Sequence, residues 1–181
     1  MGADVITNLV NMVGGPVVDA LARKTGLPVE VVNRIKPIVI GLVVAGIGRI
    51  LKQPDGTDKL QDMIGLSDKA MRGEIAVDYI SNVDPHSNTD LMTSLAGGNS
   101  LDNVLHNVAG GMGVGSDQLK AILGSVTPVV LSNLGQAQKA NNLTSEQLAA
   151  DIDDYIAATP ELNVVDYMLD NQPGIGDDIK R

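Results

Sequence analysis

Apolar residues recur along most of this chain at spacings of three and four, the period of an amphipathic helix, and alternating strand-like runs are nearly absent. Pro16 opens PVVDALARKT, in which Val17, Val18 and Leu21 share a face, and Gly26 follows as a left-handed stop. Pro28 opens a longer segment, VEVVNRIKPIVIGLVVAGIGRIL, where Val32, Ile35, Val39, Leu42, Gly46 and Ile50 hold helical spacing. Val and Ile also favour sheets, but spacing ranks helix above strand here, and Pro37 is expected to kink or interrupt it. On this helix Gly41, Ala45 and Gly48 form a strip of small residues that would let another backbone approach closely. They are the candidate self-association face.

QPDGTDK, residues 53–59, is turn by composition, and the pattern predicts a short helix from Asp58 and another from Ser67 to about Ser81. NVDPHSNTD, residues 82–90, is polar, contains a proline and reads as a connection between halves. Further on, Thr144 and Gln147 have the spacing of a capping box for SEQLAADIDDYIAA. Thr159-Pro160-Glu161 opens a last predicted helix, ELNVVDYMLD, and DNQPGIGDDIKR reads as loop.

The second half repeats the first without a gap. Setting Val17–Ile47 against Val104–Leu134 pairs Val17 with Val104, Ala22 with Ala109, Gly26 with Gly113, Ile35 with Ile122, Val39 with Val126 and Val43 with Val130. Apolar partners also meet at Val18 and Leu105, Leu21 and Val108, and Val32 and Leu119. Identities placed at the buried positions of both helices, with glycine at the same stop, point to duplication. The expected fold is all-α: a multihelical array of two related helix-corner-helix repeats plus C-terminal helices. Residues 1–81 form the first unit, 82–90 the connection, 91–140 the second unit and 141–181 a helical extension and tail, within one compact body. The first long helix is almost uniformly apolar, whereas the second carries Ser132, Asn133 and Gln136, so the first copy is expected to be central or covered by a partner.

Composition narrows the chemistry. The chain is 44% hydrophobic but 2% aromatic, so aliphatic residues and Met must fill the core, and ring stacking on single-stranded nucleic acid is disfavoured. A net charge of −9 repels phosphate backbones and anionic lipid surfaces, so no nucleic-acid partner is expected. With no cysteine there is no disulfide, thiolate metal site or thiol nucleophile. The run Pro37–Gly48, bounded by Lys36 and Arg49, is shorter than the roughly 18 residues that span a bilayer, so it reads as a buried helix and no membrane span is expected. Asp4 stands before the first apolar stretch without a basic cluster, which does not read as a secretory signal, and a cytoplasmic location is expected.

Three segments carry a family resemblance: VVDALARKTGLPVEVVNRI, IGRILKQPDGTDKLQDMIGLSD, and LMTSLAGGNSLDNVLHNVAGGMGVGSDQLKAILGSVTPVVLSNLG. Together they resemble the YidB-like family of bacterial proteins of unknown function, whose members are all-helical. GGNSLDNVLHNVAGG is the most specific piece, and its Gly98, Leu101, Leu105, His106 and Gly110 are the family-motif residues. Family members often end in an Asp- and Gly-rich stretch, which Asn171, Gln172 and Pro173 interrupt here. The resemblance implies the helical fold and no activity, cofactor or ligand set.

Each candidate site has a plainer structural explanation. His106 could act as a buried polar switch or a ligand, but a lone histidine is more often a hydrogen-bonded structural residue. His86, near Asp84 and Asp90, could share a divalent ion, yet an exposed polar linker accounts for it. GGMGVGS, residues 110–116, precedes a helix as phosphate loops do, but no strand leads in and no Walker lysine follows, so Ser116 is expected to act as an N-cap. Asp151, Asp153, Asp154, Asp170, Asp177 and Asp178 lack the ligand spacing of an EF-hand and read as solvated charge. No serine sits in a nucleophile motif. The expected function is that of a non-enzymatic structural or interaction protein without cofactor or metal, which associates with itself, as homo-oligomer or filament, or packs on another protein. The alternative is a small-molecule or lipid-binding protein with an aliphatic pocket between the repeats.

Overall fold

In the computed structural model, which describes residues 4–96 and 101–159, the chain forms α1 (Asp4–Asn11), α2 (Gly15–Thr25), α3 (Val29–Leu51), α4 (Gly56–Met71) and α5 (Ala76–Asn82). A 3-10 turn (Pro85–Asn88) leads to α6 (Thr89–Ala96), α7 (Leu101–Met112), α8 (Ser116–Ala140) and α9 (Ser145–Ala158), and the described residues include no strand. The fold is all-α. The predicted helix after Thr159 and the loop-like tail lie outside the described residues.

Two glycine corners organise the chain. Gly26 (φ 75°) and Gly113 (φ 71°) adopt the left-handed conformation that a residue without Cβ reaches at little cost. Gly26 closes α2 by donating its N–H to the Ala22 carbonyl. The offset that takes Gly26 to Gly113 also takes the last residue of α2 to the last of α7, and the first of α3 to the first of α8. The paired apolar residues are buried in both copies, among them Val17 and Val104, Leu21 and Val108, Ile35 and Ile122, and Val39 and Val126.

The correspondence extends beyond this repeat. In α1, Ile6 and Leu9 are buried within DVITNLV, and in α6, Met92 and Leu95 take the same places in DLMTSLA. In α4 and α9 the matching buried pairs are Leu60 with Ile64 and Leu148 with Ile152. The two four-helix units exchange their arms: α4 packs on α8, α9 on α3, α6 on α3 and α1 on α8. Gly48 receives Ile152, where an added Cβ would lie 3.0 Å from Cγ2, and Gly135 receives Ile64, where it would lie 2.6 Å from Cγ2. One aliphatic core, from Ile6 to Ile152, runs through both units.

Basic residues close several helix ends. Lys36 Nζ donates to the Val13 carbonyl (2.8 Å) beyond α1, and Lys24 Nζ to the Val83 carbonyl (2.7 Å) beyond α5. Arg34 Nη2 reaches the Met112 carbonyl at the end of α7 (3.2 Å). These carbonyls have no helical partner, so a cation there supplies both a hydrogen bond and favourable charge.

Several local expectations change. Helix α3 runs unbroken through Pro37, because proline removes one N–H and the carbonyl it would have reached belongs to Asn33, an exposed residue that water can satisfy. The two predicted helices between Asp58 and Ser81 have a different division. Ser67 lies inside α4, donating its Oγ–H to the Met63 carbonyl, and the break falls where Arg72 (φ 53°) and Gly73 (φ 76°) are both left-handed. Gly115, not Ser116, caps α8, with its N–H donating to Gln118 Oε1 at 3.1 Å. The Thr144 and Gln147 capping box forms in both directions, at 3.1 and 2.9 Å.

The expectation that the first copy is the more central one fails, because α8 is buried from Ile122 to Ser132 as thoroughly as α3 is from Val39 to Gly48. Its polar residues are internally satisfied: Ser125 and Thr127 donate to carbonyls one turn back, and Ser132 Oγ donates to Asp68 Oδ1 at 2.6 Å.

Candidate functional site

The small-residue strip of α3 is occupied from within. Gly41, Ala45 and Gly48 are buried, Gly48 lies under Ile152, and Ala45 lines a cleft with Ile156 of α9. The close approach that these residues permit is therefore made at Gly48 by an arm of the same chain, which leaves that position no surface for a second copy.

The family-motif residues divide by burial. Leu105 is buried, Leu101 is half-buried, and His106 and Gly110 are exposed one turn apart on α7, while Gly98 lies outside the described residues. His106 is thus no buried switch. His86 is exposed on the 3-10 turn, where its backbone N–H donates to Asp84 Oδ1 (3.0 Å). Among the described residues no three of His, Asp and Glu gather closely enough to hold a metal ion. Asp153 pairs with Lys52 at 3.2 Å on the surface, and Asp170, Asp177 and Asp178 lie outside the described residues. The glycine-rich segment is the corner between α7 and α8, and Asp117 in the first turn of α8 opposes an anion there.

Residues 82–90 hold the feature that sequence reasoning missed. Pro128 has no N–H, so the Gly124 carbonyl one turn back has no helical partner in the middle of buried α8. Asn88, buried at the end of the 3-10 turn, donates Nδ2–H to that carbonyl (2.8 Å) and to the Tyr79 hydroxyl oxygen (2.9 Å). Burial raises the Tyr79 pKa above its ordinary value of 10.0, and nearby Glu74 adds to this, while the Asn88 hydrogen bond acts the other way. The proline within a buried helix was the available signal, since its orphaned carbonyl must find a donor.

The cleft between copies, lined by residues including Leu42, Leu95, Leu101, Val104 and Leu123, holds about 20 Å³. A larger open cleft of about 540 Å³ lies between α3, α4 and α6, where Ile50, Met63 and Leu66 meet Lys59, Asp62 and Ser94. Leu66 is 53% exposed, and the other large apolar residues exposed among the described residues are Met12, Val29 and Ile75. All four belong to the first unit. Counting from the paired Ile64 and Ile152, the counterpart of Leu66 is Asp154, so the copies share a core and differ outside it.

Helix α3, with 23 residues, is long and apolar enough to cross a membrane, and 67% of its most apolar stretch is buried inside the fold. No curated protein and no solved structure matches the chain. A family model described as a bacterial protein of unknown function (DUF937) matches residues 7–137, spanning α2 to α7, the greater part of α1 and nearly all of α8. The matched region thus holds most of the duplicated helical body, with α9 beyond it, and the chain belongs to this family.

Proposed function

We propose that this protein is a non-enzymatic helical module that works by association, with itself or by packing on another protein, through the surface of its first unit. The observation that carries this reading is the asymmetry of the two copies. Leu66, Met12, Val29 and Ile75 are exposed on the first unit, and the solvent-facing counterpart of Leu66 in the second is an aspartate. Apolar side chains left on the outside of one copy of a duplicated fold are what a covering protein surface would use where they adjoin. A 20 Å³ cleft between the copies is far below the roughly 300–1,000 Å³ of ordinary ligand pockets, so it does not favour the lipid-binding alternative. Both histidines stand exposed on separate elements, and among the described residues no acidic cluster joins them.

The burial of α3 supports a core helix over a membrane span, and the acidic surface agrees with a location away from anionic membranes and nucleic acid. Sedimentation of the protein and of Leu66→Asp over a wide concentration range tests the association directly. A protein that stays monomeric throughout would count against self-association and leave only packing on a different protein.

A further inference from the structure

The end of α4, the helix α5 and the 3-10 turn border a cleft of about 350 Å³ that carries two cations and one carboxylate in an acidic chain. Lys69 and Arg72 line it, and neither side chain makes a hydrogen bond or ion pair with the described residues. At two other clefts the lysines are engaged, Lys52 with Asp153 and Lys59 with Asp55 at 3.4 Å, whereas Lys139 at a third makes no such pair with the described residues. Arg72 is also held in the left-handed region (φ 53°), a conformation that is costly for an arginine and favours glycine. The cost is incurred at a residue that lines the cleft.

A second observation comes from Tyr79, which is 4% exposed and lines the same cleft. Its hydroxyl oxygen accepts from Asn88, but the hydroxyl hydrogen has no acceptor among the described residues. A hydroxyl can donate as well as accept, so a ligand oxygen within reach would take this hydrogen. Asn82 adds an amide whose Nδ2 uses one hydrogen on the Asp78 carbonyl and retains the other. Lys24, which holds the Val83 carbonyl at the edge of the cleft, adds positive potential, and Glu74 is the one carboxylate on the lining.

We propose that this cleft binds a small oxyanion, the phosphate of a soluble monoester, held by Lys69 and Arg72 and receiving the Tyr79 hydroxyl hydrogen. The volume falls within the range of small-ligand sites. The net charge of −9 selects against the two polymeric sources of phosphate, nucleic acid and anionic membrane, which the rest of the surface repels. The site is polar and lies within the first unit, so it is separate from the aliphatic pocket between repeats considered above. It does not depend on association with another protein.

The test is a titration of the full chain with inorganic phosphate, followed by backbone amide NMR against sodium chloride at matched ionic strength. Saturable shifts at Lys69, Arg72, Tyr79 and Asn82 that chloride does not reproduce are expected. Lys69→Gln with Arg72→Gly should weaken the affinity at least tenfold while preserving the fold, since glycine suits the backbone at position 72. Glu74→Gln, which removes the opposing charge, should tighten it. Shifts no larger than those in chloride, or shifts that persist unchanged in the double variant, would overturn the site.

Discussion

Gly135 of α8 lies so close to Ile64 of α4 that a Cβ added there would come within 2.6 Å of the isoleucine Cγ2, and Gly48 of α3 stands in the same relation to Ile152 of α9 at 3.0 Å. These two contacts mark the exchange of arms between the units. Ile64 is β-branched and stiff, so it cannot swing aside freely. Gly135→Ala should therefore destabilise the protein, because an overpacking cost of about 1–3 kcal/mol exceeds the gain of up to about 1 kcal/mol that alanine brings to a helix. Gly46→Ala should do the same, since its Cβ would meet the Leu95 carbonyl oxygen at 2.7 Å. Gly111→Ala is the control: it is helical and exposed with nothing within 4 Å, and should stabilise by about 0.5–1 kcal/mol in urea denaturation.

The bond from Asn88 to the Gly124 carbonyl makes a prediction that a double-mutant cycle can check. Asn88→Ala should cost about 1–3 kcal/mol, because it leaves a buried carbonyl without a donor. Pro128→Ala restores a backbone N–H to that carbonyl, so Asn88→Ala should cost about 1 kcal/mol less in the Pro128→Ala background. Equal costs in the two backgrounds would show that the asparagine does not serve this carbonyl.

Tyr79 links stability to alkaline pH. Its pKa is raised in the folded state, first by burial and then by Glu74, so the unfolded chain releases the phenolic proton at lower pH than the folded one. The stability from this group is complete below about pH 10 and is lost as pH rises through the folded-state value. Tyr79→Phe should flatten the decline in unfolding free energy between about pH 9 and 11 relative to the parent protein. An unchanged slope in the variant would place the alkaline sensitivity elsewhere.

Much of this architecture is legible in the chain, and what is not has identifiable physical causes. The corners at Gly26 and Gly113 are readable because only glycine enters the left-handed region cheaply, and the buried pairs around them keep one register. The outer helices of each unit escape gapless comparison because their registers slip by a residue: Leu9 corresponds to Leu95 and Ile64 to Ile152, each at a slightly different offset from the corners. The strip Gly41, Ala45 and Gly48 correctly signals close helix approach, but sequence does not say whose helix approaches, and at Gly48 it is α9 of the same chain. Ser132 reads as a solvent-facing residue and instead is buried against Asp68, because a hydroxyl with a carboxylate partner is tolerated inside. His106 shows the opposite error, since a histidine beside buried Leu105 points the other way on the helix.

An association surface on the first copy alone of a duplicated core is tested by sedimentation velocity of the parent protein and of Leu66→Asp. A sedimentation coefficient that rises with concentration in the parent and stays at the monomer value in the variant is expected. Identical, concentration-independent monomer boundaries for both proteins would contradict self-association through this surface.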